Sequence, residues 1–294
     1  MLLSITEKLL CASRLAYTIV GTGPVADNDD AQSLGLAVPA AGFAGGDELV
    51  NAGLVGESDD AIVVAFRGTL PPSSPNKGQM ILDWLDDMNA GLVPDTSGLD
   101  INVHQGFRDA LDALWQGVSD AIKAKPATKP IYVTGHSKGG AMAYLAAYRL
   151  KKALLPDASI YVATFAAARA GDQGFANAFN ATLPHAARFE YADDIVPHMP
   201  PSDFFRTMFQ TVPFLKDKLS ELPAGYASAG ELHFIDWSGN LVADSPVLRF
   251  ERFAHLAHLM EDFDFGTIAG DHSIALGSGY AKGVASLALD LALA

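Results

Sequence analysis

The chain has 294 residues, 49% of them hydrophobic and 18% charged, with a formal charge of −14. That composition excludes disorder and supplies a sizeable core, and the acidic balance disfavours nucleic acid and anionic membrane surfaces as partners. The single cysteine, Cys11, excludes an internal disulfide, no Cys/His cluster has zinc spacing, and no apolar run reaches the roughly 18 residues of a membrane span.

The first stretch, MLLSITEKLLCASRLAY, lacks a basic leader region and a small-residue cleavage site. A soluble protein is expected, either cytoplasmic or exported by a signal that this sequence does not carry. Ser4 and Glu7 have capping-box spacing, opening an amphipathic helix to about Val20. Residues 21–47, rich in Gly, Ala and Asp, read as loop. Residues 48–56 and 61–66 read as two strands joined by a hairpin-like connection, the second apolar throughout and so covered on both faces. It ends in Arg67-Gly68-Thr69, where an N–H and a hydroxyl are offered together.

A Pro- and Gly-rich hinge then leads to Met80–Met88, a short amphipathic segment. Its position makes residues 70–90 a candidate lid, with Trp84, Leu85 and Met88 as its substrate-facing residues. A helix from Val103-His104-Gln105-Gly106-Phe107 to about Lys125 precedes the strand Ile131–Thr134. Strand and helix go on alternating: strand 159–166, helix near 173–180, strand 188–191. This order sets up a mostly parallel sheet with right-handed crossovers, an α/β fold in one domain spanning 1–294. Residues 202–225 form an apolar, Phe-rich helical insertion. A hairpin over 231–243, an amphipathic segment from about Pro246 to Met260, a polar loop at Gly270-Asp271-His272-Ser273 and a last helix from about Ala281 complete the chain.

Gly135-His136-Ser137-Lys138-Gly139 lies between strand and helix, which is the context that gives G-x-S-x-G its meaning. The serine stands at the apex of a sharp turn, the glycines let strand and helix pass closely, and the helix N-terminus favours a developing negative charge. Ser137 is therefore the candidate nucleophile. A serine hydroxyl needs a base, and the base an acid to fix its tautomer, so a carboxylate and then a histidine must follow in the chain. Asp193 and Asp194, at the end of a strand, compete for the first role on chemistry alone. His272 stands out among 8 histidines by chain order and loop position. His136 is expected to pack beneath the site.

These pieces resemble the class 3, fungal-type lipases of the α/β-hydrolase superfamily. The resemblance rests on Ala12–Tyr17, Phe66-Arg67-Gly68-Thr69, Trp84, Val103-His104-x-Gly106-Phe107, the Ser137 elbow, Asp194-x-Val196-Pro197-x-x-Pro200 and a late histidine. It implies an α/β-hydrolase fold with a lid, and Ser137, Asp194 and His272 as catalytic triad. It also implies an oxyanion hole made by Thr69 and the backbone N–H of Lys138, a position where the lysine side chain has no evident purpose. No cofactor and no metal are implied. The expected activity is hydrolysis of acylglycerol esters at a lipid–water interface through an acyl-enzyme. A phospholipase A1 or a small- or aromatic-acyl esterase would use the same residues, and a non-catalytic α/β-hydrolase binding protein is the alternative of another class. Nothing fixes the oligomeric state, and a monomer is expected.

Overall fold

The computed structural model describes residues 3–36, 39–70, 91–209 and 225–287. Helix α1 (Ile5–Leu15) starts at the expected capping box, where the Ser4 hydroxyl accepts from the Glu7 N–H and Glu7 accepts from the Ser4 N–H. The stretch expected to be loop holds more order than its composition promised: β1 (Gly23–Pro24), α2 (Asp29–Ser33) and β2 (Ala41–Gly45). Its elements are too short to generate a hydrophobic period, and sheet pairing with the next strand supplies the order that propensity does not. Then come β3 (Asn51–Glu57), β4 (Ile62–Phe66), α3 (Gln105–Lys123), β5 (Ile131–His136), α4 (Lys138–Arg149) and β6 (Ile160–Phe165). The chain continues through α5 (Gln173–Thr182), β7 (Ala187–Tyr191), α6 (Asp203–Phe209), β8 (Glu231–Ile235) and β9 (Leu241–Val242). It closes with α7 (Pro246–Glu261), α8 (Phe265–Asp271) and α9 (Gly279–Ser286).

The nine strands lie in one sheet in the order of the sequence, and β4 to β8 are parallel. A second, small antiparallel sheet joins Leu92–Pro94, Asn102–His104, Gly171–Asp172 and Tyr226–Ala227. The apolar run of β4 is buried at every position because its two faces have different tenants. Val64 and Phe66 join the core with Leu111 of α3 and Met142 of α4, while Val63 and Ala65 join Ala12 and Leu15 of α1. Further along the sheet, Phe165, Phe189 and Tyr191 pack with Leu9 and Leu10 of α1 and Tyr280 of α9. A polar join across that face lies between Ser13 of α1 and Thr134 of β5, whose hydroxyls are 2.9 Å apart.

The helix that carries the elbow is tied down at its far end. Arg149, 2% exposed, donates from Nε to Asp95 at 3.2 Å, from Nη1 to Asp112 at 2.6 Å and from Nη2 to the Thr96 hydroxyl at 3.1 Å. Burial would raise the Asp95 carboxyl, but Arg149 and Ser97 hold it below the usual carboxylate range. Removing one partner of a buried pair strands the other. Arg149→Ala should therefore lower the unfolding free energy by about 3–5 kcal/mol in urea titration. Lys123→Ala, which breaks the exposed pair with Asp120, should change it by less than about 1 kcal/mol.

Candidate active site

Strand β5 ends at His136, and the backbone turns back on itself at Ser137, which has φ 60° and ψ −129°. A side-chain-bearing residue enters that region only when its surroundings hold it there. The surroundings are backbone: a Cβ on Gly135 would lie 2.2 Å from the Gly139 oxygen, and one on Gly139 would lie 2.1 Å from the Phe66 oxygen. Only glycines let β5, α4 and the end of β4 converge so closely. The Ser137 N–H donates to the Phe165 carbonyl at 3.0 Å, fixing the apex to β6.

Three residues far apart in sequence meet there. The Ser137 Oγ lies 3.1 Å from Nε2 of His272, whose Nδ1 lies 3.0 and 3.1 Å from the two oxygens of Asp194. A carboxylate only accepts, so Nδ1 carries the proton and Nε2 presents a lone pair to the serine hydroxyl. Asp194 is itself saturated with donors, from the Val196 N–H at 2.9 Å and the Tyr280 hydroxyl at 2.7 Å. Tyr280 is fully buried, and burial beside Asp194 pushes its phenol well above the usual range. His272 caps the C-terminus of α8, so the loop expected at 270–273 is the end of a helix. The amide N–H of His272 donates to the Ile268 carbonyl.

Beneath these three residues, His136, itself held by Tyr17, grips the backbone of His272. The His136 Nε2 lies 2.8 Å from the His272 carbonyl, which can only accept, so Nε2 is protonated and Nδ1 accepts the Tyr17 hydroxyl at 2.8 Å. Burial and the neighbouring His272 hold His136 well below the usual imidazole range, so it stays neutral. Its expected place under the site is confirmed, and its grip on His272 is a detail the sequence did not show.

The turn after β4 comes alongside. A Cβ on Gly68 would fall 2.2 Å from the Tyr17 hydroxyl and 3.1 Å from the Ser137 Cβ, so Arg67-Gly68-Thr69 runs against the elbow. Arg67 holds this turn by donating to the carbonyls of Ile19 at 2.5 Å and Val50 at 2.8 Å. Thr69 follows it at the surface. Lys138 is the first residue of α4, and its ammonium donates to the Asn51 side-chain oxygen at 2.9 Å, reaching toward β3. That contact gives the lysine side chain its purpose. The candidate lid residues Trp84, Leu85 and Met88 lie outside the described residues, as do residues 210–224 of the insertion, whose first part forms α6.

The profile described as "Lipase (class 3)" matches residues 63–204, from β4 through the elbow and the Asp194 loop into α6. A Caenorhabditis elegans protein, Lipase ZK262.3, is 30% identical over 209 residues, covering 70% of this chain and 55% of its own. The lipase of Rhizomucor miehei is 34% identical over 157 residues, 51% of this chain and 40% of its own. Over these residues the chain resembles the class 3 lipase family. It spans about half the length of the curated relatives it matches. A solved Rhizomucor miehei lipase in complex with its propeptide superposes with a TM-score of 0.60 at 24% identity, covering 86% of this chain and 76% of that one. The mono- and diacylglycerol lipase of Aspergillus oryzae gives 0.59 at 21%, covering 81% and 85%. These likenesses establish the α/β-hydrolase fold.

The neighbouring acid, Asp193, turns to partners other than His272. Its Oδ2 accepts from the Trp237 indole at 2.7 Å, and its N–H donates to Asp271 at 3.1 Å. Asp271, next to the base, went unnoticed in the sequence because its peculiarity is electrostatic. Burial, together with the charges of Asp193 and Asp194, raises its carboxyl to about 7. Unfolded, an aspartate titrates near 3.9. The stabilisation from the neutral acid is thus fully present below that value and is lost as pH rises through about 7. Asp271→Asn keeps an acceptor for the Asp193 N–H while removing the charge. Its melting temperature should match the parent near pH 4 and exceed it increasingly toward pH 8. A difference that is flat with pH would show that Asp271 does not carry this titration.

Proposed function

We propose that the chain is a carboxylic-ester hydrolase that cleaves acylglycerols through an acyl-enzyme on Ser137. The observation that carries this reading is the unbroken line Asp194–His272–Ser137, ending on a hydroxyl at a strained apex. His272 Nε2 takes the serine proton as Oγ attacks the ester carbonyl, and the Asp194 carboxylate steadies the imidazolium. The negative charge that appears on the former carbonyl oxygen faces the positive end of α4, where the Lys138 N–H and the N–H and hydroxyl of Thr69 are its proposed donors. The imidazolium then gives its proton to the departing alkoxide. Water repeats the sequence against the acyl-enzyme and frees the acid. The acylglycerol class is supported by relatives that carry the name lipase, among them the "Secreted mono- and diacylglycerol lipase 1" of Fusarium solani, 31% identical over 146 residues. The proposal extends to residues 70–90 as lid, on their sequence pattern, and to a lipid–water interface as the place of action.

Ser137→Ala should lose about 10³-fold or more in kcat on p-nitrophenyl butyrate. Asp194→Asn should be severely impaired and Asp193→Asn mildly, since only the first touches the imidazole. The reverse ranking would reassign the acid. Thr69→Ala keeps its N–H and should lower kcat by roughly 10- to 10³-fold with little change in KM. For the substrate class, activity on a short-chain triglyceride should jump as its concentration passes the solubility limit. Plain saturation there, with faster turnover of soluble esters, would make the chain an esterase for small acyl groups.

A further inference from the structure

On the sheet face opposite α1, a cavity of about 410 Å³ opens between β7, α6, α7 and the loop that follows Asp194. Its charge does not balance. Arg169, Arg188 and Arg252 line it, against the single buried carboxylate of Glu190. Glu190 is fully engaged, accepting from Arg188 on one oxygen and from Arg252 on the other. Among the described residues, Arg169 has no carboxylate partner. Its Nη1 donates to the carbonyls of His198 at 2.6 Å and Pro200 at 3.0 Å, its Nε donates to Ser228 at 3.1 Å, and its Nη2 makes none of these bonds. The Nε atoms of Arg188 and Arg252 are buried and have no hydrogen-bond partner among the described residues. At the rim Arg249 is matched by Asp244, so that pair leaves the sum unchanged. Among the described residues, three guanidiniums facing one carboxylate leave an excess of two positive charges.

A buried charge without a counter-ion is costly, and Arg169 is only 8% exposed. Burial already drags Arg169 down to about 9. His198, also in the wall, is held well below the usual imidazole range by burial and by Arg252, so it adds an uncharged ring. The remaining walls include Phe205, Phe253 and Leu256. Guanidinium donors match tetrahedral oxyanions as well as planar ones, and a phosphate monoester is close to a dianion at neutral pH. A carboxylate would cancel half the excess; a dianion cancels it whole.

We propose that this cavity binds a phosphate dianion, free or carried on a small apolar group, at a site separate from Ser137. The unpartnered Nε donors and the free face of Arg169 supply the hydrogen bonds, and the aromatic wall accommodates the organic part.

Calorimetric titration of the whole chain with phenyl phosphate, inorganic phosphate and benzoate tests this at low ionic strength. At pH 7.5 phenyl phosphate should bind at least tenfold more tightly than benzoate. Its affinity should rise between pH 5 and 7 as the second phosphate proton leaves, whereas that of benzoate should not. Inorganic phosphate matching phenyl phosphate would identify the free ion as the occupant, and a clear preference for phenyl phosphate an organic phosphate. Arg252→Gln should weaken phenyl phosphate at least tenfold. Arg249→Gln, at the exposed rim, leaves Asp244 unopposed and should weaken it several-fold without disturbing the buried cluster. Ser137→Ala should bind as the parent does. Equal binding of benzoate and phenyl phosphate, indifference to both arginine substitutions, or loss of binding in Ser137→Ala would each overturn the proposal.

Discussion

The backbone at Ser137 costs about 1–3 kcal/mol relative to an ordinary conformation, and much of the molecule is arranged so that this cost is met. The turn exists because the main chains of β4, β5 and α4 approach closer than any side chain allows. Those approaches are held by the parallel pairing of β5 with its neighbours on both sides and by the burial of α4 against the sheet. At the other end of α4, Arg149 clamps the helix to Asp95 and Asp112. A strained apex between a paired strand and a clamped helix has nowhere to relax.

The base and acid are held by a different logic. Neither sits on the sheet proper: Asp194 follows β7 and His272 caps α8. Their positions depend on hydrogen bonds to neutral buried groups, with Tyr280 on the acid and His136 on the base. Neutral partners fix geometry without adding a charge that would compete with the Asp194–imidazole attraction. Tyr280 thereby links α9 to the acid, and Tyr17 links the turn after α1 to the base. The two helices on the outer face of the sheet thus both reach through to the site.

What the sequence disclosed follows from how local each cause is. The elbow was readable because strand, turn and helix are consecutive and glycine leaves an unmistakable trace. The strands β4, β5 and β6 announced themselves by apolar runs, and a mostly parallel order followed from the alternation of strands with helices. The choice between Asp193 and Asp194 was not decidable from chemistry, since two adjacent carboxylates at a strand end differ only in the direction that the backbone gives them. Tyr280 and Asp271 left no trace, and Tyr17 showed only as the end of a motif, because what distinguishes them is burial against residues scores of positions away. The ordering of residues 23–45 was missed for a related reason: short segments that borrow stability from a neighbouring strand have no pattern of their own. The arginine cavity is the extreme case, since its members come from a loop after β6, from β7 and from α7, and only the fold sums their charges.

The order of strands in the sheet has a consequence for how the protein is made. Because the sheet is laid down in chain order, a ribosome delivers the strands that frame the elbow first. Ser137 emerges 135 residues before its partner His272. Through that interval the proposed nucleophile has no imidazole beside it, and Asp194 lacks the Tyr280 hydroxyl until α9 has docked. In a chain laid out in this way the proposed nucleophile can meet its proposed base only after α8 has been made.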